Sequence, residues 1–346
     1  MKKISIYLSI AILLIGPLFF LREQDILIKV TPFTNEIPTT APYIGYRFAD
    51  ALKEKGCQFE WMLLHSLPKK KEYLKRLSFL FQKSKIKKII INNLNHPFSK
   101  AKLSQIPKDK MILILWEPPS VLLHQYNPDV LNLFDTVVTW NDDLVDGEKF
   151  IKFNYPVLIP MQENLPSFEK RKFLCMIASN LKFNSFEKEL YSMRREAVAY
   201  FESKPEGTFD LYGRGWEEYK NGKGRIGDKL ETLKEYKFNF CFENCNIPGY
   251  ITEKIFDSFA VGTIPIYLGA TNIQKSIPSN CFIDYRQFNN FDEMLTFIQN
   301  ISKEEYEQYL NNIKTYLASP SSKLFSQEAF SETIFQAINR TGKCLK

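Results

Sequence analysis

The sequence is poor in the residues that most often bind transition metals. Its 346 residues include only three histidines, which are scattered along the chain, and six cysteines, none of which forms a Cys-x-x-Cys pair. This spacing gives no recognisable zinc site. Cys175 and Cys241 lie within apolar runs typical of strands, and we expect both to be buried free thiols.

The chain also lacks internal repeats, low-complexity segments and the interleaved aromatic and basic residues of an RNA-binding motif. Its 46 basic residues exceed its 39 acidic residues, which gives a net charge of +7. The densest basic stretch, between Lys69 and Lys88, is interpreted as a solvated helix face. The charge favours anionic partners such as nucleotides or phospholipid surfaces, and we do not expect nucleic acid among them.

One long uncharged run is present, at the N-terminus. Lys2 and Lys3 precede 18 residues without charge, from Ile4 to Leu21. This run is long enough to span a bilayer, and no small-x-small cleavage site follows it. We therefore expect a single-pass signal anchor within residues 1–24 with a cytoplasmic N-terminus, and a cleaved signal peptide is the alternative. The remainder would face a Golgi-like lumen in a eukaryote or the cell envelope in a bacterium.

Beyond residue 24, short apolar runs typical of strands alternate with helical patterns, as in parallel sheets with crossover helices. The predicted strands are Ile26–Val30, Ile86–Ile91, Met111–Trp116, Val137–Trp140, Phe173–Ala178, Phe209–Tyr212, Phe238–Phe242 and Ile264–Leu268. The predicted helices are Ile44–Lys55, Phe186–Glu202, Glu253–Ala260, Phe291–Ile301 and Glu304–Leu317. The two series are separated near Tyr155–Pro166. They predict an α/β protein with two Rossmann-like domains, at 25–160 and 161–320, and a C-terminal tail at 321–346.

The most informative segment contains the predicted helix Glu253–Ala260. Thr252 precedes it as the predicted N-cap, and Glu253 and Lys254 place a carboxylate and an ammonium beside the free N–H groups of its first turn. Such a helix end attracts phosphate, whereas a lysine is unfavourable there unless an anion lies nearby. The residues alone leave two interpretations open. One is a phosphate site; the other is a surface Glu-Lys pair whose exposed lysine contributes little to stability.

Residues 236–269 resemble the signature of the α1,3/4-fucosyltransferases, glycosyltransferase family 10. The match comprises Tyr-Lys-Phe, Phe-Glu-Asn, Tyr-Ile-Thr-Glu-Lys and Ile-Pro-Ile-Tyr-Leu-Gly, without a gap from Asn244 to Lys254. The resemblance implies a fold of the GT-B type, with two Rossmann-like domains. It further implies that Asn244, Tyr250, Glu253 and Lys254 bind the nucleotide and the sugar of GDP-fucose.

A second match begins at Ala178-Ser179-Asn180, which follows a predicted strand and precedes a helix with two adjacent arginines. Members of the family have Ser-Asn and then a helical arginine that neutralises the diphosphate. Arg194 and Arg195 are both candidates for this residue. Apolar residues four and seven positions after Arg194 favour it, and the longer spacing from Ser-Asn keeps Arg195 open.

A third match follows the predicted strand Met111–Trp116, where Glu117-Pro118-Pro119-Ser120 resembles the Glu-x-Pro-Ser/Thr of the family. The resemblance implies that Glu117 is the general base. An inverting transfer needs a carboxylate that accepts the proton of the acceptor hydroxyl. A proline-stiffened turn at a strand end would hold such a group. The alternatives are Asp142 and Asp143, after the next strand.

No Asp-x-Asp motif is present, although many sugar transferases use it to bind a metal at the diphosphate. We therefore expect no cofactor and no obligatory divalent metal, because arginine, lysine and a helix terminus would stabilise the leaving GDP. Together the motifs predict an anchored inverting transferase that moves fucose from GDP-fucose to a hydroxyl of an oligosaccharide acceptor. The alternatives are the same scaffold with another GDP-sugar, and a catalytically silent glycan-binding protein.

Overall fold

The computed structural model describes residues 26–30, 59–63, 88–94, 103–104, 106–183 and 185–340. Within these ranges no helix combines the length and the apolar character needed to cross a membrane. The predicted anchor, the basic stretch and the predicted helix Ile44–Lys55 lie outside the described residues. The chain divides into two compact units, the first ending at Phe153 and resuming at Gln327, the second comprising Asn154–Ser326. The predicted domain boundary, at 160, lies a little beyond this division.

The first unit contains a six-stranded sheet with the order β2-β1-β3-β4-β5-β6. Its strands are β1 (Ile26–Val30), β2 (Phe59–Leu63), β3 (Lys88–Asn92), β4 (Met111–Leu115), β5 (Thr136–Thr139) and β6 (Phe150–Lys152). From β3 to β6 the neighbouring strands are parallel. β1 runs antiparallel to both β2 and β3, so the prediction of wholly parallel sheets is wrong at this edge. Apolar periodicity identifies a strand but does not encode its direction.

The centre of this sheet is buried on both faces, which explains the uninterrupted apolar sequence of β4. Every residue of β4 is buried, as is every residue of β5. Two short helices follow β4 along the chain: α1 (Pro119–Leu122) and α2 (Pro128–Leu131). Buried strands of this kind are typical of the parallel part of an α/β sheet.

The second unit contains a five-stranded sheet with the order β11-β10-β9-β7-β8, in which all neighbours are parallel. Its strands are β7 (Lys172–Ile177), β8 (Asp210–Tyr212), β9 (Tyr236–Phe242), β10 (Ile264–Leu268) and β11 (Ile283–Asp284). Its helices are α3 (Tyr191–Glu202), α4 (Lys229–Leu233), α5 (Glu253–Ala260), α6 (Phe291–Gln299) and α7 (Lys303–Leu317). The predicted bounds of β10 and α5 are confirmed residue for residue.

The start of α3 differs from the prediction of a helix from Phe186. The carboxylate of Glu189 accepts hydrogen bonds from the backbone N–H groups of Tyr191 and Ser192, at 2.6 and 3.1 Å. Because these are the first N–H groups of the helix, Glu189 satisfies them and fixes where the helix begins.

Both faces of the second sheet are covered, and β9 contributes to each in turn. Phe238, Phe240 and Phe242 pack in one hydrophobic cluster with residues of α3 and α6. Cys241 points to the opposite face and packs in a second cluster with residues of α5. This alternation is that of a strand, and it places α5 against the sheet directly beside β9.

The carboxyl ends of β7 and β9 lie at a change in the direction of winding. The chain passes from β7 outward to β8 and then returns to add β9 on the other side of β7. In open parallel sheets, ligands bind outside the carboxyl ends of the strands at such a switch point. Here the segments that begin at Ala178 and Glu243 leave these two strand ends.

The C-terminal segment returns to the first unit. The predicted tail at 321–346 contains a helix, α8 (Gln327–Asn339), which packs against β5 and β6. The ring of Phe330 contacts those of Trp116 and Phe153 edge-on, with centroids 5.8 and 5.4 Å apart. The buried face of α8 therefore completes the core of the first unit.

Candidate functional site

A fully buried carboxylate marks the end of β9. Glu243 has 0% exposure, and its backbone N–H donates to the carbonyl of Leu268 at 2.8 Å. The side chain has room because residue 269 is glycine: a Cβ atom there would lie 2.5 Å from Cγ of Glu243. The sequence predicts that Glu243 lies at the strand end but assigns it no role. Full burial of a carboxylate costs folding free energy unless the group is paired with a cation and hydrogen-bonded.

The side chain of Glu243 organises the segment that enters α5. The backbone N–H of Thr252 donates to Oε1 at 2.8 Å, and the Thr252 hydroxyl lies 2.9 and 2.8 Å from Oε1 and Oε2. Thr252 occupies the N-cap position, as predicted, but its side chain makes no capping hydrogen bond to the helix. The reason is that its hydroxyl is used to bind Glu243.

Lys254 completes the pairing of this buried carboxylate. Its Nζ atom lies 3.0 Å from Oε2 of Glu243, 3.1 Å from the Thr252 hydroxyl and 3.7 Å from Oε1 of Glu253. Burial tends to lower the pKa of Lys254, but the two carboxylates outweigh it and raise the pKa. An anion does lie beside the lysine, and in this structure it is Glu243. The lysine side chain is only 20% exposed, so the interpretation as an exposed surface lysine is wrong.

Glu253 stays ionised in spite of its surroundings. Burial tends to raise the pKa of its carboxyl group, whereas Lys254 and Lys229 lower it, and the net result is a pKa of about 2. At neutral pH the carboxylate is therefore a permanent hydrogen-bond acceptor at the first residue of α5. Such a group suits the hydroxyls of a sugar or a ribose.

Arg194 reaches the same strand end from α3. It is 4% exposed, and its Nε and Nη2 atoms donate to the carbonyl of Phe242 at 3.1 and 2.6 Å. Nη2 also donates to Oδ1 of Asn244 at 2.9 Å. The next residue, Arg195, donates instead to the carbonyl of Leu181, at 2.6 Å. Of the two candidate arginines, the structure places Arg194 beside Asn244.

Asn244 links Arg194 to Tyr250, the predicted aromatic residue of the site. Its Nδ2 atom lies 3.4 Å from the hydroxyl of Tyr250, which is 3% exposed. The carbonyl of Tyr250 accepts a hydrogen bond from the Tyr267 hydroxyl at 3.2 Å, and its ring meets that of Tyr155 edge-on. The backbone and the ring of Tyr250 are therefore held on two sides.

The structure thus brings Arg194, Asn244, Tyr250, Glu253 and Lys254 together at one end of the second sheet. Arg194 and Lys254 are close enough that the positive charge of Arg194 repels that of Lys254 and tends to lower the pKa of Lys254. Two cations kept close together by neighbouring acceptors are a physical indication of an anion site.

The backbone of Glu117, in the first unit, is clamped where β4 ends. Its N–H donates to Oδ1 of Asn93 at 2.9 Å. Its carbonyl accepts from Nε2 of Gln125 at 2.9 Å and from the Tyr126 hydroxyl at 2.7 Å. Pro118 then leads into α1. The turn predicted after the strand is present, and side chains hold its backbone in addition to the prolines.

Asn93 is a supporting residue that the sequence does not reveal. It is 6% exposed, adopts a positive φ of 59°, and its Oδ1 atom also accepts from the backbone N–H of Trp116 at 2.9 Å. Asparagine tolerates this left-handed conformation better than most residues. From the end of β3, Asn93 thus holds the backbone where the chain leaves β4. This role depends on a tertiary contact and not on sequence spacing.

The solved structure most useful for the fold is that of TarM. It superposes with a TM-score of 0.50 and 11% identity, over 72% of this chain and 54% of that chain. The parallel sheets and this superposition define an α/β, GT-B-like glycosyltransferase fold.

Residues 167–340 match the domain described as glycosyltransferase family 10 (fucosyltransferase), C-terminal, and this match spans half of the chain. The chain belongs to glycosyltransferase family 10, as its motifs predicted. The chain is 38% identical to the alpha-(1,3)-fucosyltransferase FucT of Helicobacter pylori over 95 aligned residues. The alignment covers 25% of this chain and 20% of that protein. It is 28% identical to the human 4-galactosyl-N-acetylglucosaminide 3-alpha-L-fucosyltransferase 9 over 156 aligned residues. That alignment covers 44% of this chain and 39% of the human protein. The chain thus aligns with well under half of either relative.

Proposed function

We propose that this protein transfers fucose, with inversion, from GDP-fucose to a hydroxyl of an oligosaccharide acceptor. The observation that carries the proposal is the pair of cations, Arg194 and Lys254, held at the carboxyl end of β9. Family membership supports the fucosyl group, since the names of both relatives state fucosyltransferase activity for those proteins. A diphosphate is the anion that such a pair fits in a nucleotide-sugar enzyme.

The donor site uses the groups that the structure gathers. Nε and Nη2 of Arg194 are committed to acceptors within the chain, and among the described residues Nη1 has no hydrogen-bond partner. Nη1 is therefore the part of the guanidinium that binds a phosphate oxygen. The ammonium of Lys254 adds positive charge as GDP leaves. Asn244 and Tyr250 position the nucleotide and the sugar, and the carboxylate of Glu253 accepts hydrogen bonds from hydroxyl groups of the donor.

Glu117 acts as the general base in this proposal. The acceptor oxygen attacks the anomeric carbon of fucose from the face opposite GDP, and the bond between that carbon and the phosphate oxygen breaks. The acceptor proton passes to the carboxylate of Glu117, and the electron pair of the broken bond leaves with GDP. No cofactor and no obligatory divalent metal is proposed, because charged side chains neutralise the diphosphate.

The donor is tested by titration calorimetry of GDP, GDP-fucose, GDP-mannose and a UDP-sugar against the intact chain. The proposal expects binding of GDP and tightest binding of GDP-fucose. Tightest binding of another GDP-sugar would indicate that the same scaffold uses that sugar donor instead of GDP-fucose. Release of GDP on mixing the donor with a panel of candidate oligosaccharide acceptors then separates an enzyme from a silent glycan-binding protein, which would release GDP with none of them.

The base is tested with Glu117→Gln, which keeps the shape of the side chain. We expect kcat to fall by a factor on the order of 10²–10⁴, with donor affinity almost unchanged. Glu148→Gln is the matched control, because Glu148 is an exposed carboxylate of the same unit, just before β6. A Glu117→Gln protein that keeps more than about a tenth of the kcat would be too active for the loss of a general base.

We also propose that residues 4–21 anchor the chain in a membrane, with the N-terminus cytoplasmic and the two units on the other side. The uncharged run and the lysines before it support this topology. Extraction of membranes with alkaline carbonate tests it: an anchored chain stays in the pellet, whereas a chain released into the supernatant would contradict the proposal.

A further inference from the structure

A lysine outside the family signature contacts the helix that carries Glu253. Lys229 is the first residue of α4, which packs against α5. Its Nζ atom lies 2.6 Å from Oδ2 of Asp257 and 3.8 Å from Oε1 of Glu253. The side chains of Lys229 and Asp257 are 31% and 16% exposed, so the contact is partly shielded from water.

The contact resolves a conflict within α5. Glu253 and Asp257 are four residues apart, so both carboxylates project from one face of the helix, where like charges repel. Asp257 has a raised pKa because of burial and the charge of Glu253, although Lys229 opposes this effect. The ammonium of Lys229 lies between the two carboxylates and attracts both. Asp257 provides the short contact that fixes the ammonium in front of Glu253.

We propose that Lys229 is a positioning residue for donor binding, which holds the carboxylate of Glu253 in place, with Asp257 as its anchor. The inference rests on the proposed function, because it assigns to Glu253 a bond to the donor. In this proposal Lys229 does not touch the donor. Its effect on donor affinity therefore passes through Glu253, and this dependence can be measured.

Several other charges act on Glu253 and set the expected pH dependence. Lys254 attracts it from the same turn of α5, but this lysine is shared with the buried Glu243. Arg194 adds positive charge from α3, and Asp257 adds negative charge from the next turn. Without Lys229, Glu253 would keep the shared Lys254, the charge of Arg194 and hydrogen bonds from its own backbone and Thr252, and its pKa would rise from about 2 toward the ordinary range of a glutamate.

The first experiment is a calorimetric titration of GDP-fucose against wild type and Lys229→Gln between pH 4 and pH 8. Glutamine removes the charge but can still donate to Asp257. We expect the variant to bind about tenfold more weakly at pH 7 and weaker still toward pH 4, whereas wild type should show no such acid limb from Glu253. Lys229→Arg should restore affinity to within about threefold, because it restores the charge.

The matched control is Lys234→Gln, which removes a lysine that follows α4 and, among the residues that the structure describes, pairs only with the exposed Glu231 at 3.5 Å. It should bind GDP-fucose as wild type does. A purely structural role for Lys229 would weaken binding equally at all pH values and would not be restored by adjusting pH. An unchanged affinity of a folded Lys229→Gln protein would overturn the inference.

A double-mutant cycle with Glu253→Gln shows whether Lys229 acts through Glu253. In the Glu253→Gln background, Lys229→Gln should cost less than about twofold, because the group that it positions is gone. Losses that multiply would overturn the inference. If Lys229→Gln does not fold, Asp257→Asn carries the test. It frees the ammonium but keeps its charge, so we expect weaker binding without the acid limb, and wild-type affinity would contradict the anchoring role.

The cycle also separates this inference from the proposed function. If wild type binds no GDP-sugar, the donor assignment fails and the role of Lys229 fails with it. If wild type binds GDP-fucose and Glu253→Gln weakens it, but the two losses multiply, only the role of Lys229 is refuted.

Discussion

The pair formed by Lys254 and Glu243 gives the sharpest prediction of stability. Lys254→Ala would leave Glu243, with 0% exposure, without its cation at 3.0 Å. Removal of one partner from a buried ion pair costs about 3–5 kcal/mol. Thr252 would continue to donate two hydrogen bonds, and Lys254 is 20% exposed, so we expect a loss at or just below the lower end of this range, about 2–3 kcal/mol.

The assay is urea unfolding followed by fluorescence, with hydrogen exchange on the amides of β9 and α5 as the local readout. Lys234→Ala is the matched control, because Lys234 is 24% exposed but its partner Glu231 is 63% exposed. An ion pair of that kind contributes less than about 1 kcal/mol. The double variant Glu243→Gln/Lys254→Met should recover most of the stability lost in Lys254→Ala, because it leaves no uncompensated charge.

Unfolding of Lys254→Ala at the same urea concentration as Lys234→Ala would contradict a stabilising pair between Lys254 and Glu243. A double variant less stable than Lys254→Ala would contradict it as well. A confirmed loss has a practical consequence for binding studies. Donor affinity of Lys254→Ala would have to be measured well below its unfolding transition, since a folding defect and a lost phosphate contact both reduce binding.

Three further predictions concern the metal, the pH dependence and the packing of the site. Transfer activity should survive EDTA in large part, and complete loss that manganese alone restores would contradict the proposed role of Arg194 and Lys254. The pKa of Glu253 is about 2, below its usual 4.5, so its contribution to stability is complete above the usual value and is lost as pH falls toward 2; acid unfolding of Glu253→Gln and wild type should therefore converge at low pH, and a constant gap would contradict this. Gly269→Ala should destabilise the protein by about 1–3 kcal/mol, because the new Cβ would lie 2.5 Å from Glu243; Gly227→Ala, which meets nothing within 4 Å, is its control in thermal unfolding, and equal midpoints would contradict the clash.

The second unit could be predicted well from the sequence because its elements have strong local signals. β10 and α5 begin and end where apolar periodicity places them, and Cys175 and Cys241 are buried free thiols as expected. The first unit could be predicted less well. β2 was not predicted, and its pairing with β1 depends on a tertiary contact that periodicity does not encode.

The candidate site shows the same limit at the level of single residues. The apolar residues four and seven positions after Arg194 favoured it over Arg195, and the structure places Arg194 beside Asn244. The partners Glu243 and Lys229 could not be assigned, because their roles depend on which side chains meet across a strand end or between two helices.

The most direct test of the donor site is a crystal structure of the protein soaked with GDP-fucose. We expect the diphosphate within hydrogen-bonding distance of Nη1 of Arg194 and near the N-terminus of α5, with a donor hydroxyl on the carboxylate of Glu253. Density for GDP at any other place on the second unit, with Arg194 and Lys254 contacting only the chain, would contradict the central claim.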